Sequence, residues 1–173
     1  MMNLDPRKFA HQLARSRSRI SFHSFSGHSV ALEGRPPEWV EILPLGTFMG
    51  KDGRGPFRAD GEAIIAATKA NGLAIGLPID YDHGTYLDGE SRAAGWIREL
   101  RIAGNKLQAR VEWTARGALA ISSKEYRFIS PVFKFIPDDP DAPEEKQSGC
   151  VEYLRGAGLT NDPNLAQLTA LAA

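Results

Sequence analysis

The chain has 173 residues, of which 42% are hydrophobic and 24% are charged, and its 21 basic residues balance its 21 acidic residues. This composition is typical of a globular protein with room for one well-buried core. The balanced charge argues against nucleic acid as the main partner. The single cysteine, Cys150, excludes an intramolecular disulfide, and its surroundings predict an ordinary buried or half-buried thiol. No apolar run is long enough to span a membrane, so we expect a cytoplasmic protein.

The first 35 residues have an irregular pattern, and we interpret them as an N-terminal arm that is weakly ordered or contributes a first strand. They carry clustered basic residues and three of the four histidines, His11, His23 and His28. A metal site needs several convergent ligands, and no closely spaced cysteine and histidine pattern occurs here. We therefore expect solvated histidines and neither a metal nor another cofactor.

Beyond this arm, the pattern predicts short strands joined by turns. Period-two alternation predicts strands at residues 39–43, 77–83, 96–102, 107–113, 126–133 and 151–154. Two short helices are expected, one capped by Asp60 and ended by Asn71 and Gly72, the other running from Ala115 to Lys124. Many strands with few helices predict an α+β fold built on a mainly antiparallel, barrel-like sheet.

The strand predicted at residues 126–133 contains one small hydroxyl side chain, Ser130, among bulky apolar residues. Ser130 shares a strand face with Tyr126 and Val132 at period two. Pro131 cannot donate to a ladder, so the strand is expected at a sheet edge or bent just after the serine. The serine is either a filler in a packed sheet or a nucleophile held where the sheet opens.

The strand predicted at residues 77–83 ends on a histidine. From Leu77 onward every second residue falls on one face, so His83 closes a core-facing row. Such a histidine is either a satisfied core residue or a general base at the rim of the sheet. If the fold brings it within hydrogen-bond reach of Ser130, the two form the base and nucleophile of a serine hydrolase. The Gly-x-Ser-x-Gly elbow of the α/β-hydrolases is absent.

Seven stretches carry a specific combination of residues. They are Glu38–Pro44, Lys51–Phe57, Leu77–His83, Ala93–Ile97, Arg110–Thr114, Tyr126–Phe133 and Gly156–Asn161. In this order they resemble the phage-Mu-type prophage protease/scaffold protein. The resemblance implies a capsid-maturation protease, similar in plan to herpesvirus assemblin and other caudoviral prohead proteases. Such a serine endopeptidase would process the scaffold and its own chain within the procapsid, in the host cytoplasm.

The resemblance also implies partners and a division of the chain. Residues 36–163 would form the protease domain, and residues 164–173 a tail leading to a scaffold region. The expected partners are phage scaffold and major capsid proteins, protein substrates including the chain itself, and further copies in a homo-oligomer, with neither nucleic acid nor membrane. Small residues at an exposed, flexible end are what an alanine-preferring protease would cleave, so the end at Ala173 is either a product of self-processing or a boundary of other origin.

Carried over to this sequence, the resemblance implies His83 as the general base and Ser130 as the nucleophile. In the wider group the third member of the site is a second histidine or an acid located after the serine, and no histidine follows His83 here. Asp162 is the acid predicted for this role, with Glu152 as the other choice.

Two carboxylates adjacent to the base, Asp80 and Asp82, are predicted to point to the opposite face of the strand from His83. A Ser–His dyad completed by water or a backbone carbonyl stays open as an alternative. So does a function of a different class, a non-catalytic scaffold or assembly module in which Ser130 is core filler.

Overall fold

The computed structural model describes residues 35–87, 92–165 and 167–171 of the 173-residue chain. The predicted N-terminal arm and its three histidines lie outside these residues, apart from Arg35. Within the described ranges, no helix is long and apolar enough to cross a membrane.

Short strands dominate the described residues, as the sequence predicts. Eight strands form one mainly antiparallel, barrel-like sheet accompanied by three helices, so the α+β prediction is confirmed. The strands are β1 (Trp39–Pro44), β2 (Gly46–Phe48), β3 (Phe57–Ala59), β4 (Leu77–Tyr81), β5 (Gly95–Ala103), β6 (Lys106–Trp113), β7 (Phe128–Pro137) and β8 (Gly149–Thr160). The helices are α1 (Gly61–Ala70), α2 (Gly84–Leu87) and α3 (Ala115–Ser122), with 3₁₀ turns at Leu73–Ile75 and Glu144–Lys146.

Strand β8 lies at the centre of this sheet. Along one edge it pairs in parallel with β3 through Gly149 and Cys150 and with β4 through residues 157–159. Along its other edge it pairs antiparallel with β7 over the full length of both strands. The two strands predicted to carry the site residues, β4 and β7, are therefore neighbours of the same strand.

Strand β8 is longer than the sequence pattern predicts. The alternation indicates residues 151–154 alone, because Gly156 and Gly158 lower the strand propensity of residues 155–160. In the structure the strand continues to Thr160, since hydrogen-bonded pairing on both edges outweighs local propensity. The glycines serve close packing instead: a Cβ at Gly156 would lie 2.6 Å from the carbonyl oxygen of Pro78 in β4.

Strand β7 lies at the sheet edge that Pro131 predicts. Among the described strands it pairs with β8 alone. Its register against β8 also shifts between Val132 and Phe133, directly after the serine and proline. The edge position, one of the two alternatives, is confirmed.

The predicted hairpin and the two predicted helices form, with the second helix ending two residues early. β5 and β6 pair antiparallel along their length, with one register shift. Asp60 accepts a hydrogen bond from the Ala63 N–H, and Thr114 accepts one from the Gly117 N–H, so both N-caps are made as expected. A Cβ at Gly117 would lie 1.9 Å from the carbonyl oxygen of Ala94. Only glycine lets α3 pack this closely on the segment that precedes β5.

A cluster of four phenylalanines ties the β2–β3 hairpin to β7. The ring centroid of Phe57 lies 5.7 Å from those of Phe48 and Phe133 and 5.2 Å from that of Phe135. Phe57 and Phe133 are almost completely buried. These tilted and edge-on contacts add to the area that the rings bury, and they fix β7 against the neighbouring hairpin.

The C-terminal segment packs against the barrel, in contrast to the exposed tail expected from its small residues. Leu165, Leu168 and Leu171 belong to the buried core. The Leu171 N–H donates a 2.7 Å hydrogen bond to the carbonyl oxygen of Arg127, just before β7. The apolar residues at this spacing fill the core, so the expectation of a flexible segment is wrong for residues 167–171.

Cys150 is exposed, not buried or half-buried. It lies near the start of β8, where its Sγ accepts a 3.2 Å hydrogen bond from the Arg58 guanidinium. The sequence expectation failed because it took Cys150 to precede the strand, whereas β8 begins at Gly149 and turns this side chain outward.

The aromatic cluster generates a stability prediction. Truncation of Phe57 to alanine removes a fully buried ring, and we expect Phe57→Ala to lower the free energy of unfolding by about 3–5 kcal/mol. Urea unfolding measures the loss. Ile75→Ala, at a side chain that is 81% exposed, is the control and should change stability by less than about 0.5 kcal/mol. Equal effects of the two variants would contradict the packing described.

Candidate active site

Strand β4 ends earlier than predicted, and this changes the direction of His83. The strand stops at Tyr81, and Asp82 and His83 adopt left-handed backbone conformations with φ of 51° and 59°. Such conformations cost non-glycine residues about 1–2 kcal/mol each and persist where neighbouring contacts hold them. The turn swings the imidazole off the core-facing row of β4.

The register of β4, β8 and β7 places three residues in one row. Asp80 is paired with Gly158, and Gly158 is paired with Ser130 on its other edge. Directly paired residues point to the same face of a sheet, so the Asp80 and Ser130 side chains share a face and Gly158 lies between them. The middle position carries no side chain, which leaves room above it.

The imidazole of His83 occupies the room above Gly158. A Cβ at Gly158 would lie 2.9 Å from Nδ1 and 3.0 Å from Cε1 of the ring. From this position Nε2 lies 2.8 Å from the Oγ of Ser130, within hydrogen-bond distance. Ser130 is 0% exposed and His83 is 7% exposed. The structure thus brings together the serine and histidine that the sequence singles out, 47 residues apart.

Several hydrogen bonds hold the turn that carries His83. The Asp82 N–H donates to the carbonyl oxygen of Leu159 in β8 at 2.9 Å. The Tyr86 and Leu87 N–H groups donate to the carbonyl oxygen of His83 at 2.9 and 3.1 Å. These bonds offset the cost of the left-handed backbone and fix the ring over the sheet.

A tyrosine pair holds the same turn from the other side. The Tyr126 hydroxyl donates to the Asp82 carboxylate, and its ring packs on Tyr81 with centroids 5.5 Å apart. Burial, together with this hydrogen bond to Asp82, raises the pKa of Tyr126 to about 12. The phenol therefore stays protonated and remains a donor throughout the neutral range.

Asp80 is the carboxylate that lies beside the base, and sequence analysis missed it. It is 1% exposed, and its Oδ2 accepts a 2.9 Å hydrogen bond from the Thr85 N–H. A Cβ built on Gly158 would lie 3.0 Å from Oδ1 of Asp80 and 2.9 Å from Nδ1 of His83. Both atoms therefore lie close to the same point above the glycine. The prediction that Asp80 faces away from His83 assumed a continuous strand to residue 83. The left-handed turn returns the histidine to the face of Asp80, so that prediction is wrong.

The electrostatic environment keeps His83 neutral. Burial lowers the pKa of His83 below its usual value of 6.5, and the negative charges of Asp80 and Asp82 oppose this shift in part. A neutral imidazole has one ring nitrogen with a lone pair. That lone pair is what a general base needs to accept a proton from Ser130.

The structure does not bring Asp162 to the base. Its carboxylate forms a 2.8 Å ion pair with Lys51, and its side chain is 91% exposed, whereas His83 is buried. The other acid weighed from the sequence, Glu152, forms a 3.0 Å ion pair with Lys134. Neither interaction involves the histidine.

The site and the fold together give a buried serine–histidine pair on a mainly antiparallel barrel-like sheet. A serine hydroxyl hydrogen-bonded to an imidazole is a pairing that hydrolases on many unrelated folds contain. Here it is built on one row of a mainly antiparallel barrel-like sheet. Residues 40–172 match the family model described as "Mu-like prophage I protein, N-terminal domain". The chain belongs to this family.

Two relatives with a similar sequence support the assignment to the family. The chain is 32% identical over 155 residues to the Mu-like prophage FluMu I protein of Haemophilus influenzae, covering 79% of this chain and 41% of that protein. It is 31% identical over 156 residues to Protease I of Escherichia phage Mu, covering 78% and 40% respectively. The chain therefore spans about two fifths of the length of these relatives.

Among solved structures, the chain is similar to the bacteriophage T4 capsid assembly protease. The alignment has a TM-score of 0.47 and 10% sequence identity, and covers 80% of this chain and 96% of that one.

The lowered pKa of His83 generates a pH prediction. The unfolded chain binds a proton on this histidine near pH 6.5, whereas the folded chain does so only at lower pH. The unfolded state therefore holds more protons between the two pKa values, and stability is lost as pH falls through this window. We expect an NMR titration of the His83 ring to have its midpoint below 6.5. We also expect His83→Gln to flatten the pH dependence of unfolding there. A midpoint at or above 6.5 would contradict the buried, neutral imidazole.

Proposed function

We propose that the chain is a serine-type endopeptidase that processes scaffold protein and its own chain during phage capsid maturation. The observation that carries the proposal is the 2.8 Å contact between His83 Nε2 and Ser130 Oγ, buried and aligned with a carboxylate across one row of the sheet. Core serines are commonly satisfied by backbone carbonyls. A buried hydroxyl bonded to a neutral imidazole is the pairing that activates a nucleophile.

The reaction follows from this geometry. His83 Nε2 takes the proton from Ser130 Oγ as the oxygen attacks the carbonyl carbon of a peptide bond. The resulting imidazolium then donates that proton to the leaving amine, and the acyl group stays on Oγ. Water, deprotonated by the same nitrogen, hydrolyses the ester and restores the serine. The buried environment strengthens each electrostatic interaction during these steps.

Asp80 supplies the charge that the imidazolium requires. Its carboxylate lies near the Nδ1 side of the ring, and its negative charge acts to raise the pKa of His83 against the effect of burial. It therefore favours the protonated base once proton transfer begins. Asp80 is itself fixed by the Thr85 N–H, which donates to its Oδ2 at 2.9 Å. We propose it, in place of Asp162, as the third member of the site.

The biological setting is proposed from the family and its relatives. One relative is named Protease I of phage Mu, and the prohead proteases that the sequence resembles act in capsid maturation. By extension, the partners of this chain are phage scaffold and major capsid proteins and further copies of the chain, and its place of action is the procapsid in the host cytoplasm. The alternative function is a non-catalytic assembly module. It would have the same fold, with Ser130 as a core residue that takes no part in a reaction.

Ser130→Ala separates these two functions. We expect it to abolish cleavage of the scaffold protein, since loss of the nucleophile removes several kcal/mol of transition-state stabilisation, at unchanged folding by circular dichroism. Ser123→Ala, at an exposed hydroxyl, is the matched control and should cleave normally. A fluorophosphonate should add its mass to the wild-type chain at Ser130 and not to Ser130→Ala. Undiminished cleavage by Ser130→Ala would favour the assembly module.

A comparison of Asp80→Asn with Asp162→Asn tests which of the two acids is the third member of the site. We expect Asp80→Asn to lower kcat about 10²–10⁴-fold, because the imidazolium loses its counter-charge and the ring its orientation. The pKa of His83 should also fall further, which an NMR titration detects. Asp162→Asn should leave kcat within about twofold, since its carboxylate is exposed and paired with Lys51. A larger loss of kcat in Asp162→Asn than in Asp80→Asn would favour Asp162 as the third member.

A further inference from the structure

Asn161 directly follows strand β8, and its side chain extends the hold of that strand on the chain before β7. The β7–β8 ladder ends at the pair of Phe128 and Thr160. Beyond this pair, Nδ2 of Asn161 donates a 2.7 Å hydrogen bond to the carbonyl oxygen of Glu125. Its Oδ1 accepts a 3.2 Å hydrogen bond from the Arg127 N–H. One primary amide therefore pairs with two backbone groups, as a neighbouring strand would.

The residue between these two bonds is Tyr126, which contacts the turn that carries the base. Its hydroxyl donates to the Asp82 carboxylate, and its ring packs on Tyr81. Asp82 is the residue before His83, and both have left-handed backbone conformations. The place of the phenol depends on the backbone on either side of Tyr126, and this is the backbone that Asn161 holds.

We propose that Asn161 is a positioning residue of the proposed active site. It holds Tyr126 on Asp82. That contact in turn keeps the His83 ring directed at Ser130. The inference rests on the proposed function, to which it adds a residue that takes no part in the reaction itself. Within the described residues, both hydrogen bonds of the Asn161 amide go to backbone groups, so its influence on the base passes through Tyr126.

The segment that Asn161 holds lies outside the helices and strands. Helix α3 ends at Ser122, and β7 begins at Phe128. Lys124, between them, has a left-handed backbone with φ of 62°. A segment of this kind lacks a continuous ladder of backbone bonds, so individual contacts must set its position. The two bonds of the Asn161 amide supply this support on either side of Tyr126.

Two further bonds support the same segment from the backbone. The Tyr126 N–H donates to the carbonyl oxygen of Ala120 at 3.0 Å. The carbonyl oxygen of Arg127 accepts a 2.7 Å bond from the Leu171 N–H. Both join backbone groups, which a side-chain substitution leaves in place. The bonds of Asn161 come from an exposed side chain, so they can be removed without making a cavity in the core.

The contact between Tyr126 and Asp82 acts on the base through charge as well as through position. Burial lowers the pKa of His83, and the negative charges of Asp80 and Asp82 oppose this shift in part. A hydrogen bond donated by the phenol offsets some of the Asp82 charge. If the phenol moves away, we expect the full charge to act and the pKa of His83 to rise. A titration of His83 therefore reports whether Tyr126 is in place.

Three substitutions isolate the role of Asn161. Asn161→Ala removes both bonds. Asn161→Asp keeps the acceptor for the Arg127 N–H but sets a carboxylate oxygen against the carbonyl oxygen of Glu125. Asn71→Ala is the matched control, because the Asn71 amide is also exposed and donates a 2.8 Å bond to the carbonyl oxygen of Ala67 at the end of α1. Asn161→Ala and Asn71→Ala should show similar falls in Tm of about 2–4 °C.

The experiment measures cleavage of the scaffold protein and the NMR titration of the His83 ring. Asn161→Ala and Tyr126→Phe should each lower kcat about tenfold with KM within about twofold, because the base is misplaced while substrate contacts are kept. The double variant should lose about as much as either single variant, since both substitutions break the same path. In all three, the midpoint of the His83 titration should rise. Asn71→Ala should match the wild type in kcat and in midpoint.

Asn161→Asp gives the same test if Asn161→Ala does not fold, because it retains one of the two bonds. We expect the same direction of change in kcat and in the His83 midpoint as for Asn161→Ala. The charge that it adds is exposed, and its oxygen replaces the Nδ2 group that donates to Glu125.

The outcomes separate a positioning role from a structural one. Wild-type kcat and an unshifted His83 midpoint in Asn161→Ala, at a lowered Tm, overturn the proposal, since Asn161 would then only stabilise the fold. Losses that add in the double variant also overturn it, because Asn161 would act by a path other than Tyr126. A wild-type chain that neither cleaves the scaffold protein nor reacts with a fluorophosphonate at Ser130 overturns the proposed function. The His83 midpoint then decides the role of Asn161 by itself: a rise in both single variants supports it, and no rise overturns it.

Discussion

The site depends on one constraint, the absence of a side chain at Gly158. The central strand β8 holds β4 on one edge and β7 on the other, and Gly158 is the residue of β8 that faces Asp80 and Ser130 together. Any larger residue there would occupy the place of the His83 ring, since a Cβ alone would lie 2.9 Å from Nδ1. The glycine therefore leaves room for the imidazole of His83 above β8, between Asp80 and Ser130.

The rest of the structure keeps this row in position. The phenylalanine cluster fixes β7 to the β2–β3 hairpin, and the long β7–β8 ladder carries Ser130 to Gly158 in register. On the other edge, Asp80 is the fourth of the five residues of β4. The strand ends at Tyr81, and the left-handed turn at Asp82 and His83 follows. The strained turn is stabilised by backbone bonds to β8 and by the Tyr126 hydroxyl. The proposed site is thus held by rigid elements on both sides, at a modest local cost.

Local patterns predicted most of the fold and the two residues in contact. Alternation located β1, β4 and the β5–β6 hairpin, and capping residues located α1 and α3, because these features depend on neighbours in sequence. Ser130 and His83 stood out as a hydroxyl and an imidazole in strongly apolar strands. Asp80, the acid proposed for the site, could not be found this way. Periodicity put His83 on the wrong face, away from Asp80, because it cannot anticipate two consecutive non-glycine residues in the left-handed region.

The same limit explains the other differences. The second half of β8 is rich in glycine, and its pairing with β4 and β7 is a long-range property that propensity does not contain. The small residues after Asn164 suggested an exposed tail, but leucines at suitable spacing fill the core. Resemblance to a protease family was the signal that favoured the Ser–His pair over a core serine. The structure adds the positions of Ser130 Oγ and the Asp80 carboxylate relative to the His83 ring, which sequence similarity does not supply.

The most direct test of the proposed site is a high-resolution structure of the chain after reaction with a fluorophosphonate. We expect phosphorus bonded to Ser130 Oγ, with His83 Nε2 within hydrogen-bond distance of the adduct and the Asp80 carboxylate on the Nδ1 side of the ring above Gly158. An unmodified Ser130, or an adduct there with His83 turned away from it, would contradict the claim that this row of the sheet is a catalytic site.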